Sequence, residues 1–302
     1  MIDFVRTPES RFDGIPNYPF EPKYFEVDGL RMHYIDEGPR EASPVLLLHG
    51  EPSWSFLYRH MIARLVADGH RTVAPDLIGF GKSDKPIRQD DYTVGRHVRW
   101  VGALVEALNL DDITLFGQDW GSSIGLRLAA ENEERFGRIV IGNGLLAGET
   151  GIETKRWVIR LWQAFTRWSP WIPVGQIVSR SSGRTLTDAE VRAYDAPFPS
   201  REYLAGVRVF PQLIPMSSDD PATADNVAAW EVLERWTKPF LTVYSNGDPV
   251  LGAMDALFQE RIPGAMGQPH ARVEGGHFLQ EAAAPELARR IHELIVTDRA
   301  SM

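Results

Sequence analysis

The chain has 302 residues, 43% hydrophobic and 24% charged, with a net charge of −9, and it is long enough for one large α/β domain or two small ones. The acidic balance favours solubility and argues against nucleic acid or an anionic membrane as partner. With no cysteine in the chain, disulfides, zinc thiolate sites and thiol catalysis are excluded.

The N-terminus, Met1-Ile2-Asp3-Phe4-Val5, lacks a secretory pattern, and no apolar run approaches membrane length, so a cytoplasmic protein is expected. Residues 1–24 are Pro-rich and irregular. Tyr24–Val27 and Leu30–Ile35 alternate across Asp28-Gly29, a strong hairpin signal. Val45–Leu48 is a continuous apolar run, as in a strand buried on both faces, and it ends in His49-Gly50-Glu51-Pro52-Ser53-Trp54. A helix over Leu57–Asp68, a strand over Arg71–Ala74 and a helix over Val94–Leu108 follow. The strand Ile113–Phe116 leads into Gly117-Gln118-Asp119-Trp120-Gly121, and a helix begins near Ser123. Arg138–Ile141 is the next strand. The alternation predicts a mostly parallel sheet.

The alternation stops from about Leu145 to Asn226, a stretch rich in tryptophan and arginine. It reads as a helical cap (145–226) inserted into a core formed by 1–144 and 227–302. Strands resume at Phe240–Tyr244, ending in Ser245-Asn246-Gly247-Asp248, and at His270–Val273, ending in Gly275-Gly276-His277. A helix over Pro285–Val296 closes the chain.

Strand, Gly-x-Asp-x-Gly turn and helix are the context of the nucleophile elbow of α/β-hydrolases, with a carboxylate where serine is usual. The substitution carries chemical information. Serine alkylated at an sp3 carbon becomes a stable ether, whereas a carboxylate forms an ester that an activated water can attack. Asp119 as a helix N-cap is the plainer alternative. Asp119, Asp248 and His277 each follow a predicted sheet strand and occur in the order nucleophile, acid, histidine. His277 suits a general base on water, and Asp248 suits an acid that fixes its tautomer. Asp76 and Asp255 compete for the acid's role. Asn143, after another strand, can orient but not supply charge. His49 is expected to hold the shape of its loop, and His33, His60, His70, His97, His270 and His292 are expected to be structural or surface residues.

Together these residues resemble the haloalkane dehalogenases. The resemblance rests on His-Gly-Glu-Pro-Ser-Trp at 49–54, Asp-Leu-Ile-Gly-Phe-Gly-Lys-Ser-Asp-Lys-Pro at 76–86 and Gln-Asp-Trp-Gly at 118–121. Tyr-Asp-Ala-Pro-Phe-Pro at 194–199 and Gly-His-Phe-Leu-Gln-Glu at 276–281 extend it along nearly the whole chain. It implies an α/β-hydrolase fold with an eight-stranded, mostly parallel sheet. It implies an enzyme that converts haloalkane and water to a primary alcohol, halide and a proton, without cofactor or metal; a monomer is expected, with an oligomer as the alternative. Asp119 is then the nucleophile, His277 the base and Asp248 the acid, with the backbone N–H groups of Glu51 and Trp120 as oxyanion hole.

The resemblance also implies that the indoles of Trp120 and one cap tryptophan bind the halide. An indole N–H donates but cannot surrender its proton, and a halide needs hydrogen bonds rather than protonation. Trp157, Trp162, Trp168 and Trp171 compete for the second position, and Trp162 best fits the family's pattern. Ordinary core packing is expected for most of the other three. Phe165, Phe198 and Phe210 are candidate lining groups. The runner-up is an epoxide hydrolase, whose alkoxide product would need a proton donor such as Tyr194 or Tyr203. A receptor or binding module of the same fold is the alternative outside catalysis.

Overall fold

The computed structural model describes residues 2–148, 156–217 and 219–301. The chain runs β1 (Phe4–Val5), β2 (Lys23–Val27), β3 (Leu30–Glu37), β4 (Pro44–Leu48), α1 (Arg59–Ala67), β5 (Arg71–Pro75), β6 (Lys85–Pro86) and α2 (Val94–Ala107). It continues through β7 (Ile113–Asp119), α3 (Trp120–Glu131) and β8 (Phe136–Gly144). Then come α4 (Arg156–Trp168), α5 (Val174–Ser181), α6 (Asp188–Asp195), α7 (Ala205–Val209) and α8 (Pro221–Leu233). It ends with β9 (Phe240–Ser245), α9 (Asp255–Arg261), β10 (Ala271–Val273) and α10 (Leu279–Ser301).

The main sheet has eight strands in the order β10-β9-β8-β7-β4-β5-β3-β2. Pairing is parallel from β10 to β5, and β3 and β2 close one edge antiparallel. The expected hairpin is present: Asp28 and Gly29 both have positive φ, 53° and 76°, the conformation that a two-residue turn between twisted strands requires. β4 shows why its sequence is apolar throughout. Leu46 and Leu48 pack with Leu115 and Ile124 on one face, whereas Val45 and Leu47 pack with Phe116 and Leu287 on the other.

The chain leaves β4 toward β5 and returns to β7 on its opposite side, so the order reverses between β4 and β7. Open α/β sheets form their ligand crevice at the carboxyl ends of such a pair. Residues 49–54 and Asp119 lie there. The long excursion between β8 and β9 contributes α4–α8. Within the stretch expected to form a cap, residues 149–155 and 218 lie outside the described residues, and the expected boundary at 226 falls inside α8. That helix packs onto the core, with the Asn226 side chain donating to the Ala147 carbonyl (2.7 Å) and the Trp230 indole to that of Leu146 (3.0 Å). Among the described residues, no helix is long and apolar enough to cross a membrane.

Candidate active site

Asp119 ends β7 and precedes α3 with φ 52° and ψ −126°, a strained conformation for a residue with a side chain. Two glycines make this corner possible. A Cβ on Gly117 would meet the Gly121 carbonyl oxygen at 2.8 Å, and one on Gly121 would lie 1.8 Å from the Leu48 carbonyl oxygen. The turn therefore lifts Asp119 out of the sheet edge while α3 stays pressed against β4.

The Asp119 carboxylate is held from two directions. Glu51 N–H donates to its Oδ1 at 2.9 Å, while His277 Nε2 lies 3.5 Å from Oδ2. Trp120 opens α3, so its N–H has no carbonyl a turn earlier in the helix. On the other side of the imidazole, His277 Nδ1 lies 2.8 Å from Asp248 Oδ2. Asp248 Oδ1 accepts from the N–H groups of Val250 (2.8 Å) and Leu251 (3.1 Å). Burial works against ionisation of Asp248, yet the His277 hydrogen bond and charge and these two N–H groups hold its pKa below the usual range. Burial likewise opposes charge on His277, but the hydrogen bonds and charges of Asp119 and Asp248 outweigh it and raise the imidazole to about 10.

The support behind this trio is polar and buried. Asn143 donates to Ser245 Oγ (2.8 Å) and to the carbonyls of Gly276 (2.8 Å) and His277 (3.1 Å), and accepts from Ser245 N–H (2.8 Å). It thereby ties the ends of β8 and β9 to the histidine loop. The Gln118 amide donates to the His277 carbonyl at 3.2 Å. His49 accepts from Leu77 N–H at Nε2 (2.9 Å) and its Nδ1 meets the Gly50 carbonyl (3.0 Å), which fixes the neutral tautomer. As expected, it holds its loop. Of the competing acids, buried Asp76 bonds His33, Ser55 and Lys82, and Asp255 pairs with Arg272. Neither touches His277.

Above the carboxylate is a cavity of about 510 Å³ lined by Asp119, Trp120, Trp162, His277 and mainly apolar neighbours such as Ile159 and Leu251. Trp162, on α4, hydrogen-bonds the side chain of Glu51; burial and the adjacent Asp119 charge push that carboxyl well above its ordinary pKa. The other tryptophans correct the expectation of core packing. Trp157, Trp168 and Trp171 are 66%, 77% and 70% exposed. The three phenylalanines also lie outside the cavity lining. Phe165 stacks on Trp162, Phe210 packs edge-on against Trp120, and Phe198 rests against Phe80.

The tyrosines of the epoxide reading are absent from the lining as well. Tyr194 is fully buried and its hydroxyl donates to Glu281. That hydroxyl belongs to a cluster hidden from sequence inspection: Glu281 of α10 bonds Arg59 of α1 (2.6 and 2.9 Å) and Arg184, while Glu190 of α6 also bonds Arg59 (2.7 Å). Arg59 and Glu281 join α1 to α10 across more than two hundred residues of sequence, and Arg184, Glu190 and Tyr194 fasten the inserted segment to that pair.

Residues 43–284 match the model of the α/β-hydrolase fold family. A haloalkane dehalogenase of Mycobacterium marinum is 52% identical over 295 residues, covering 96% of this chain and 99% of that protein. The chain belongs to the haloalkane dehalogenases. A second family member, from Psychrobacter cryohalolentis, is 49% identical over 300 residues, 97% of this chain and 98% of its own. Among solved structures, the tetrameric haloalkane dehalogenase DpaA from Paraglaciecola agarilytica superimposes with a TM-score of 0.88 at 36% identity, covering 96% of this chain and 97% of that one. The family and the α/β-hydrolase fold are those that the motifs at 49–54, 118–121 and 276–281 imply.

Proposed function

We propose that this dehalogenase cleaves carbon–halogen bonds of haloalkanes in two displacements centred on Asp119, without a cofactor. The observation that carries the reading is the alignment of Asp119, His277 and Asp248 beneath an apolar cavity that also holds the indoles of Trp120 and Trp162. The Oδ2 oxygen of Asp119, facing the cavity-side imidazole nitrogen, attacks the halogen-bearing carbon. An ester bond forms, the carbon–halogen bond breaks with its electron pair, and the halide leaves toward the two indole N–H groups. Oδ1 stays in the oxyanion hole formed by Glu51 N–H and Trp120 N–H.

Esterification has a second consequence. It removes the negative charge of Asp119, one of the two carboxylates that raise His277. The imidazolium of the resting site is thus made more acidic by the first step and can lose its proton, becoming the base needed for the second. His277 Nε2 then takes a proton from water as the hydroxide attacks the Asp119 carbonyl carbon. Asp248 holds Nδ1–H and the returning positive charge. Collapse of the tetrahedral intermediate releases the alcohol and restores the carboxylate.

We assign residues 145–226 as a cap that sets substrate size, on the ground that Val158, Ile159, Trp162, Ile177 and Ile214 line the cavity. Monomeric, cytoplasmic operation is part of this proposal, and the tetrameric relative supplies the alternative that sedimentation would distinguish. The primary experiment measures halide release and acidification with a short terminal bromoalkane, beside styrene oxide as epoxide control. Bromide release that vanishes in Asp119→Asn is the expected result; diol formation without bromide release would overturn the reading.

A further inference from the structure

The outer face of α4 has no role in the chemistry above. Along this helix Trp157, Leu161, Phe165 and Trp168 recur at spacings of four, four and three residues, which puts them within an arc of about 80°. They are 66%, 63%, 38% and 77% exposed, and Trp171 beyond the helix end is 70% exposed. The inner face is anchored elsewhere. Gln163 donates to the Pro211 carbonyl (2.8 Å) and accepts from Gln212 (2.9 Å), while Arg208 holds the carbonyls of Thr166 (3.0 Å) and Ser169 (2.9 Å). With α4 fixed in this rotation, its apolar stripe points to solvent over a length of about 17 Å. Contiguous exposed apolar surface of this kind marks an interaction face.

Charge indicates what meets it. The chain carries −9 overall, yet between Glu153 and Asp188 there are six basic residues and no carboxylate. Arg160 and Arg167 lie together along one edge of the stripe, at about the same helical angle, and both are exposed, as is Arg180. None of these three makes an ion pair among the described residues, in contrast to Arg59, Arg127 and Arg184. A second copy of the same face would set arginine against arginine. An anionic lipid surface would satisfy both features, taking the indoles and leucine at its headgroup boundary and pairing its phosphates with the guanidinium groups.

We propose that the outer face of α4, with Trp171, docks the protein on anionic membranes. The acidic whole-chain average conceals this local reversal of sign. Docking itself does not depend on the functional reading. Its consequence does: the inner face of the same helix lines the cavity through Val158, Ile159 and Trp162, and exposed Arg180 also lines it. Apolar haloalkanes dissolved in lipid would then be concentrated beside the cavity.

The test is flotation of the full chain with phosphatidylcholine vesicles, with and without about one-third phosphatidylglycerol, at low and high salt. The expected result is flotation with the anionic vesicles only, weakened by salt, with a blue shift in tryptophan emission. Arg160→Glu combined with Arg167→Glu should weaken it about tenfold or more. Trp157→Ser, Trp168→Ser and Trp171→Ser together should abolish it while circular dichroism and halide release in solution are retained. Failure to float with anionic vesicles, equal flotation with neutral ones, or undiminished binding by the triple variant would overturn the proposal. So would a concentration-dependent dimer of the parent chain that the triple variant abolishes, since the stripe would then be a self-interface.

Discussion

Helices α3 and α4 are nearly equal in length, 12 and 13 residues, and both line the cavity, but they are held by different means. α3 is pinned by its backbone: Gly121 fits against the Leu48 carbonyl with no space for a Cβ, and residues from Trp120 to Ala129 are almost all buried. α4 is held by side chains of neighbouring segments grasping its carbonyls, and its apolar residues are divided between cavity and solvent. The helix that follows the proposed nucleophile is thus fixed by direct backbone contact, whereas the helix bearing the proposed second indole is held mainly along its inner face. Chemistry needs the first kind of constraint; fitting a substrate or a surface tolerates the second.

The largest effects should fall on the α3 side. His277→Gln should reduce turnover by at least about 10⁴-fold, yet leave the first displacement possible. Mixing it with excess bromoalkane should release one bromide per enzyme and then stop, and mass spectrometry should find the alkyl group on the peptide containing Asp119. An adduct elsewhere, or full turnover, would break the assigned division of labour. The same site predicts a stability profile. His277 is raised to about 10 in the fold against about 6.5 when unfolded. Its contribution is fully present below about pH 6.5 and is lost as pH rises toward 10. The stability advantage of the parent chain over His277→Gln should therefore shrink across that interval in thermal melts.

Next in size is the seam that joins the two regions. Glu281→Ala would leave buried Arg59, and partly exposed Arg184, short of a partner, at a cost of about 3–5 kcal/mol for the buried pair. Urea unfolding should register that loss. Retention of full stability would mean that the inserted helices are fastened by packing rather than by this cluster.

The two regions also differ in how far the sequence discloses them. The meeting of Asp119, Asp248 and His277 was legible because each follows an apolar strand and stands beside glycine or at a strand end, so local pattern and topology coincide. Strand boundaries moved by up to three residues: β8 runs from Phe136 to Gly144 rather than from Arg138 to Ile141, and β7 runs on to Asp119. The Arg59–Glu281 pair was invisible, since nothing local links positions so far apart. The cap tryptophans were misjudged for another reason. Composition assigns large aromatics to a core, but at 100° per residue Trp157 and Trp168 fall on the flank away from Ile159 and Thr166, both of which are buried. Helical angle, not residue type, carried that information. The lining was misjudged likewise, because aromatic content does not tell which side of Trp162 and Trp120 a phenylalanine will occupy.

The inner and outer faces of α4 then give the two smallest effects, and their ratio is the sharper test. Trp162→Phe keeps the ring but removes a hydrogen-bond donor to an anion, a contact worth about 1.5–3 kcal/mol. Bromide affinity, read from quenching of fluorescence, should fall by between about tenfold and about 150-fold. Trp168→Gln removes a larger exposed surface from the opposite flank and should leave stability within about 0.5 kcal/mol, with bromide affinity unchanged. If Trp168→Gln instead lowered bromide affinity as much as Trp162→Phe, α4 would have to turn about its axis during the reaction. The distinction between a face that serves the halide and a face that serves a surface would then describe only the resting enzyme.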